Sequence, residues 1–473
     1  MAAVQGPAKL AAKVADRLGG GDIGAESAWS FLLEICTLAG TILSFTLLGH
    51  SLGPKGYGAY ASLYALIGPF VTLAASGSTL ALLQHTLRER EPLAVASRSC
   101  LSISLVLGLM LVPLSGLAAG HFVHNLSWLA IVSILATEFL SAPVVQLAAT
   151  TVQAGRGFIP ATKIRLVLVA LRAVVLVTLF SFGRLTVASF GLSSLTLSAA
   201  LGLTLLVRVG GEHGFHYAPG RMHARHLRSN VEYSLGISAF SFQNDGDKTV
   251  LAANNFVVDT GLYAAAYRMA QMGMLPMSSV VNATHQRFLH HEEGVKGQHL
   301  KRAISFSMVT AAYGALFIVG VMVFAPLLPF IIGESFRGSV TMLRWLSPLV
   351  LLRTLSIFPV NGLMGLGKIL LRTVLIILNA VLSMSLYIAL IPKYSWKGAV
   401  AGTLIGETVL VSSMWTALVI MQRRADREVD RVAATQGSGP ELSGAIVSGS
   451  VTPGSVMTDD DTHGTEHAPD AAK

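Results

Sequence analysis

Residues 100–119 read CLSISLVLGLMLVPLSGLAA, a run without one charged side chain. Coiled as an α-helix at about 1.5 Å per residue it spans roughly 30 Å, the thickness of the hydrocarbon core of a bilayer. It is too long and too evenly apolar for a barrel strand, which alternates, so the reading is a helix that crosses a membrane and satisfies its own backbone. Working outward, windows of the same kind occur at 28–48 and 60–83 before it. After it they fall at 126–149, 166–182, 187–207, 233–256, 262–283, 303–327, 341–366, 371–390 and 399–420. The composition agrees: 52% of the 473 residues are hydrophobic and 12% charged, against about 25% charged in a soluble domain. The expected fold is an all-α integral membrane protein of about twelve transmembrane helices.

The charged residues give the topology. A net charge of +9 and a pI of 9.6 would suit nucleic acid if the basic residues formed one stripe, but they sit in short clusters between apolar runs. One alternating set of connections holds Arg88, Arg90, Arg98, Arg156, Lys163, Arg165, Arg208, Arg221, Arg225, Arg228, Lys301, Arg302, Lys368, Arg372, Arg423 and Arg424; the other holds only Lys55, Arg184, Arg337, Lys393 and Lys397. Cytoplasmic loops retain Lys and Arg, so both termini are expected in the cytoplasm. Window 233–256 is interrupted by Asn244, Asp245, Asp247 and Lys248, yet removing it would put Arg287, Lys301 and Arg302 on the wrong side. The chain then divides into a cytoplasmic N-terminal segment (1–27), a six-helix half (28–207), a cytoplasmic linker (208–228), a second six-helix half (229–422) and a disordered cytoplasmic tail (423–473) poor in apolar residues. No removable signal peptide is expected in the first 25 residues. Cys36 and Cys100 fall inside apolar windows, which leaves no disulfide framework.

The two halves share a repeat. GAYASLY at 58–64 opens the second window and GLYAAAY at 261–267 opens the eighth. In each copy a glycine suits a tight turn before the helix, and two tyrosines four residues apart share a face, where they are read as anchors at the membrane interface. Both halves enter and leave in the same direction, so the expectation is two pseudo-symmetric halves around a central cavity, related by an axis along the membrane normal.

At these residues the sequence resembles a known family. LGPKGYGAYA at 52–61, and Asn244, Asp247 and Lys248 followed by GLYAAAYR at 261–268, are similar to the corresponding stretches of polysaccharide and O-antigen flippases in the multidrug/oligosaccharidyl-lipid/polysaccharide exporter superfamily. The resemblance implies a multi-pass transporter of the bacterial inner membrane that moves an undecaprenyl-pyrophosphate-linked oligosaccharide from the cytoplasmic to the periplasmic leaflet. Such a step serves exopolysaccharide, capsule or O-antigen synthesis, beside the glycosyltransferases and polymerase of the pathway. Two departures stand out: His50 occupies a place where a basic residue is common, and Asp245-Gly246 adds a carboxylate and a glycine. A drug/ion antiporter or peptidoglycan-precursor flippase of the same superfamily, or a membrane glycosyltransferase or polymerase, are the competing readings. Against an enzyme, the first outer loop, 53–56, carries no carboxylate. No phosphate loop or dinucleotide fingerprint is present, so no cofactor is expected.

Charges inside the windows are the candidate machinery. Each costs about 2.5–3.5 kcal/mol at a helix centre, so the seven residues Lys248, Asp245, Asp247, Glu138, Arg172, Arg268 and Arg353 would together cost on the order of 20 kcal/mol against lipid. They are expected to face a cavity or one another. Lys248 and Arg353, helped by Arg268, Arg172 and Asn244, are the expected cations and polar partner for the diphosphate of a lipid carrier. Asp247, Asp245 and Glu138 are the candidates for a coupling ion or proton. Two readings stay open for each group: Asp245 and Lys248 can pair locally along one helix, Gly246 can loosen that helix, and Glu138 can carry a proton or pair with Arg172. Arg268 and Arg172 lie near enough to a helix end to snorkel. His285, His290, His291 and His299 with Glu292 and Glu293 match no rigid ligand spacing, and no metal is expected there.

Overall fold

A computed structural model of the chain describes residues 21–437, apart from 124, 216, 275 and 278–296. Among the described residues every regular element is helical. Helix α1 (21–52) and α2 (54–88) form one long rod broken at Gly53, whose φ of 62° and ψ of −180° lie where only glycine is at ease. Pro54 then starts α2, a position where its missing N–H has no partner to lose. Within α2 two π turns, Thr72–Ser76 and Gln84–Arg88, shift the helical register.

The chain continues as α3 (Leu93–Phe122), α4 (Trp128–Arg156), α5 (Phe158–Ser181), α6 (Val187–His213), α7 (Ala224–Ala253) and α8 (Val257–Met272). Then come α9 (Gln298–Phe324), α10 (Gly338–Gly365), α11 (Ile369–Tyr394) and α12 (Trp396–Gly437). Nine helical runs among the described residues are long and apolar enough to cross a membrane. One of these, Ala28–Arg88, has 61 residues, about three times what a bilayer core needs, and the break at Gly53 divides it in two. Helix α7 is too polar and α8, as described, too short to qualify by composition.

Residues 423–437, expected to be disordered, are helical; the rest of the tail lies outside the described residues. The compact unit ends at Asp426, and 427–437 form a separate unit. Large apolar side chains such as Leu109, Leu117, Leu203, Leu316 and Leu370 are exposed on the outside of the helices, the surface that lipid would cover.

Helix α7 joins the halves. Its first turns pack on α2 and α3, and its later turns pack on α11. At the end that carries Lys55 the two repeats meet. A Cβ added to Gly58 would lie under 3 Å from the Val257 carbonyl, and one added to Gly261 under 3 Å from the Pro54 carbonyl. The glycines that open the two repeats therefore serve close approach of α2 to α8. A single apolar cluster spans both halves here, with Phe45, Leu48 and Tyr57 against Tyr263, Ile332 and Phe336. At the opposite, Arg-rich end the halves keep separate cores, around Leu101 and Leu147 in one and around Phe358 and Met414 in the other.

Candidate functional site

A cavity lies between the halves, in two lobes that share Tyr57, Tyr60, Tyr64 and Arg268. The first lobe, about 260 Å³, is walled by α1 and by Glu138 and Arg172. The second, about 300 Å³, is walled by Asp245, Lys248, Tyr267 and Gln271. Beyond Glu138 and Arg172 a further space of about 360 Å³ runs past Ser76, Thr79 and Gln146. Those two charged residues thus stand at a partition.

On the first half, Glu138 sits in a π turn of α4, Thr137–Ser141. Such a turn widens the helix and re-aims the side chains it carries. The Tyr64 hydroxyl donates to Glu138 Oε1 at 3.3 Å, and Arg172 of α5 comes no closer to that oxygen than 4.0 Å. Arg172 is 35% exposed and Glu138 17%, so the pair is loose and partly wet. The Nε of Arg172 has no hydrogen-bond partner among the described residues. Across the cavity Arg268 of α8 is exposed and makes no ion pair among the described residues.

On the second half the charges interlock. Lys248 Nζ donates to the Asn244 carbonyl at 2.6 Å, to Asp245 Oδ1 at 3.0 Å and to Asp247 Oδ1 at 3.1 Å, and it lies 3.7 Å over the Tyr267 ring. Asp247 is fully buried and accepts from the Tyr263 hydroxyl at 2.6 Å. Arg353 donates from Nε to Glu407 Oε1 at 2.9 Å, and from Nη2 to the Tyr267 hydroxyl at 2.7 Å and to Asn244 Oδ1. An amphiphilic knot of this kind holds α7, α8, α10 and α12 together, because each buried charge would be very costly alone.

The structure thus separates the residues grouped in the sequence. Lys248 and Arg353, the expected cavity cations, are buried and paired; Lys248 borders the second lobe but its ammonium is already surrounded. Arg268 and Arg172, which could have snorkelled, face the cavity instead. Asp245 is part of the second lobe, whereas Asp247 is sealed behind it. Gly246 does not loosen α7, which runs unbroken; a Cβ there would meet the Met384 side chain, so its smallness lets α11 approach. The tyrosine pairs are not interface anchors: Tyr263 and Tyr267 are buried, and Tyr60 and Tyr64 line the cavity. Glu407 went unread, although it is the lone carboxylate of the window 399–420 and so needed a basic partner on another helix. Of the histidine group, His299 is buried at the start of α9, and the rest lies outside the described residues.

The family whose description is "Polysaccharide biosynthesis protein" matches residues 23–286, more than half of the chain. The protein belongs to that family. Its fold is that of MOP-superfamily transporters. A multidrug resistance MATE family transporter in an inward-facing conformation superposes with a TM-score of 0.65 at 15% identity, over 85% of this chain and 99% of that one. An outward-facing structure of such a transporter gives 0.54 at 14% identity, over 90% and 99%. A MOP superfamily transporter from Pyrococcus furiosus, described as having a binding pocket of reversed polarity, gives 0.57 at 13% identity over 84% and 97%. A search among curated proteins finds no match. Family and fold bear out the family and the all-helical membrane architecture read from the sequence.

Proposed function

We propose that this polysaccharide biosynthesis protein is a flippase for an oligosaccharide carried on a polyprenyl diphosphate such as undecaprenyl pyrophosphate. In this reading it sits in the bacterial inner membrane with both termini in the cytoplasm and turns the headgroup toward the periplasmic leaflet. The observation that carries the reading is Arg268, which makes no ion pair among the described residues and faces a cavity between the halves, with Arg172 opposite and only loosely held. A diphosphate cannot enter lipid without opposite charge, and a guanidinium binds phosphate oxygens in a bidentate fork. The tyrosines around both lobes offer hydroxyls and ring faces of the kind that hold sugars. Glu138 competes with the substrate for Arg172, and its protonation or release would bias one state of the halves over the other.

The test is reconstitution in vesicles with a lipid-linked oligosaccharide whose headgroup is accessible to a glycosidase or lectin added outside. The intact protein should move the headgroup between leaflets, and Arg268→Ala with Arg172→Ala should stop it while Lys substitutions keep part of the rate. Equal movement by the double Ala variant at equal insertion would remove the cationic cavity from the mechanism. No movement by the intact protein, with a drug efflux signal instead, would overturn the substrate class.

A further inference from the structure

Away from the cavity, at the Arg-rich end, three side chains that play no part in the transport reading converge. His85 lies in the π turn that closes α2, Glu91 in the loop after it, and His226 in the first turn of α7. One nitrogen of each histidine and a Glu91 oxygen lie within 4.8 Å of one another. His226 Nε2 is 2.8 Å from Glu91 Oε2, and His85 Nδ1 is 3.9 Å from the same oxygen. His85 Nδ1 also lies 2.8 Å from Glu89 Oε2, and its Nε2 lies 3.2 Å from the Ser229 hydroxyl. The other Glu91 oxygen is taken by Arg225.

Several features go beyond an ordinary hydrogen-bonded cluster. The His85, Glu91 and His226 side chains are all nearly buried, and the His85 and His226 ring centroids stand only 4.2 Å apart. His226 Nδ1 and the neighbouring His223 Nδ1 are buried without a hydrogen-bond partner among the described residues. Glu91 is brought back over His85 by Arg90, a non-glycine residue at φ 56°, and its amide donates to the His85 carbonyl at 2.9 Å.

Two imidazoles and a carboxylate are a donor set that suits zinc-like ions. Zinc bonds of about 2.0–2.2 Å in tetrahedral geometry put ligand atoms roughly 3.3–3.6 Å apart, so separations of up to 4.8 Å here would close by about 1.2–1.5 Å on binding. We propose that His85, Glu91 and His226 bind one divalent transition-metal ion of the zinc class, with Glu89 or water in the fourth position. Binding at His226 Nε2 leaves the imidazole neutral, with its one proton on Nδ1, the nitrogen that has no hydrogen-bond partner among the described residues. The ion ties the start of α7 to the end of α2. Because the later turns of α7 pack on α11, it fixes to the first half one end of a helix whose other end belongs to the second.

The experiment uses the full chain in detergent, stripped with EDTA and titrated with Zn²⁺ by calorimetry and with Co²⁺ by visible absorption. The expected result is one tight site per chain. His85→Ala and His226→Ala should each weaken it more than about tenfold, while His285→Ala with His290→Ala and His291→Ala leaves it in place. His85→Cys should retain binding and add a thiolate-to-cobalt absorption band, a signal that a merely unfolded variant does not give. Equal Zn²⁺ affinity in the intact chain and the His85→Ala, His226→Ala double variant would overturn the site. So would retained binding by His85→Cys without the thiolate band.

Discussion

Tyr60 and Tyr64 on α2 and Tyr263 and Tyr267 on α8 are the same motif in the two halves, and the halves use it differently. On α2 the pair looks into the cavity, and Tyr64 holds Glu138 in front of a cation 4.0 Å away. On α8 the pair is buried, and its hydroxyls lie inside a knot in which Arg353 meets Glu407 at 2.9 Å and Lys248 meets Asp247 at 3.1 Å. The residue after the second tyrosine marks the asymmetry: both line the second lobe, but on α2 it is the small, buried Ala65 and on α8 the exposed, charged Arg268. A duplicated scaffold has thus placed its fixed, neutralised charge in one half and its accessible charge at the seam and in the other half. Stability and transport should therefore respond to different substitutions.

The sharpest way to break this contrast is to open the buried knot. Removing one partner of a fully buried ion pair leaves an uncompensated charge, which costs about 3–5 kcal/mol. Glu407→Ala and Arg353→Ala should each destabilise the protein by that amount in detergent unfolding followed by intrinsic fluorescence. The Glu407→Leu, Arg353→Met double variant should recover most of the loss, because both charges are gone together. If the single variants unfold like the intact protein, the knot contributes little, and the contrast between the halves fails.

Next in size is the seam. Gly58→Ala or Gly261→Ala introduces a methyl group where a backbone carbonyl already stands under 3 Å from the new Cβ. Overpacking of this kind costs typically 1–3 kcal/mol. Because the contact holds α2 and α8 together at the Lys55 end, the cost falls on the conformation in which that end is shut. Cysteines placed at Gly58 and Gly261 neighbours should cross-link less readily in the Ala variants. An unchanged cross-linking yield would mean that the close approach does not limit closure.

How much of this was legible in the sequence differs between scaffold and site. The apolar windows marked the helices because lipid imposes length and composition, and the outer loop read at 53–56 falls at the Gly53 break. Two features were hard to read for one reason: position along a helix does not say which face meets the cavity. Arg353 is central in its window and was expected to serve the substrate, yet α12 brings Glu407 against it from 54 residues away. Arg268, nearer a helix end, could equally help hold the substrate or reach for headgroups; α8 crosses α2 at Gly58 and turns it inward. The start of α7 was set near residue 233, whereas the helix begins at Ala224, because its first turns rest on the first half and did not need to be apolar.

A smaller effect is expected at the partition. Arg172 and Glu138 form a wide, partly exposed pair, and pairs of that kind are worth about 0–1 kcal/mol. Glu138→Gln and Arg172→Ala should leave the unfolding midpoint nearly unchanged. Glu138→Gln keeps the Tyr64 hydrogen bond but removes the charge that competes for Arg172. Its effect should therefore appear in the coupling of transport to an imposed ion or proton gradient. A loss of gradient dependence with the headgroup still moved in both directions is the expected signature. Unaltered coupling would assign Glu138 to packing.

The smallest expected change in stability belongs to Arg268, and it is the most telling. Its guanidinium is exposed in the cavity and takes part in no ion pair among the described residues, so its removal strands no buried charge. Substitutions away from such features usually shift stability by no more than about 0.5 kcal/mol. Arg268→Ala should therefore unfold with the intact protein while losing affinity for the diphosphate headgroup. Arg268→Lys should fall between them, because the charge remains and the planar fork is lost. Moving the cation, with Arg268→Ala and Ala65→Arg together, tests whether its place on α8 matters. The repeat places residue 65 at the equivalent step of α2, where the small, buried Ala65 side chain forms part of the second lobe's wall and a guanidinium would have to displace its packed neighbours. The swap should destabilise the fold without restoring binding. If it restored transport instead, the two halves would be interchangeable in presenting charge, and the division between a neutralised half and an accessible seam would be wrong.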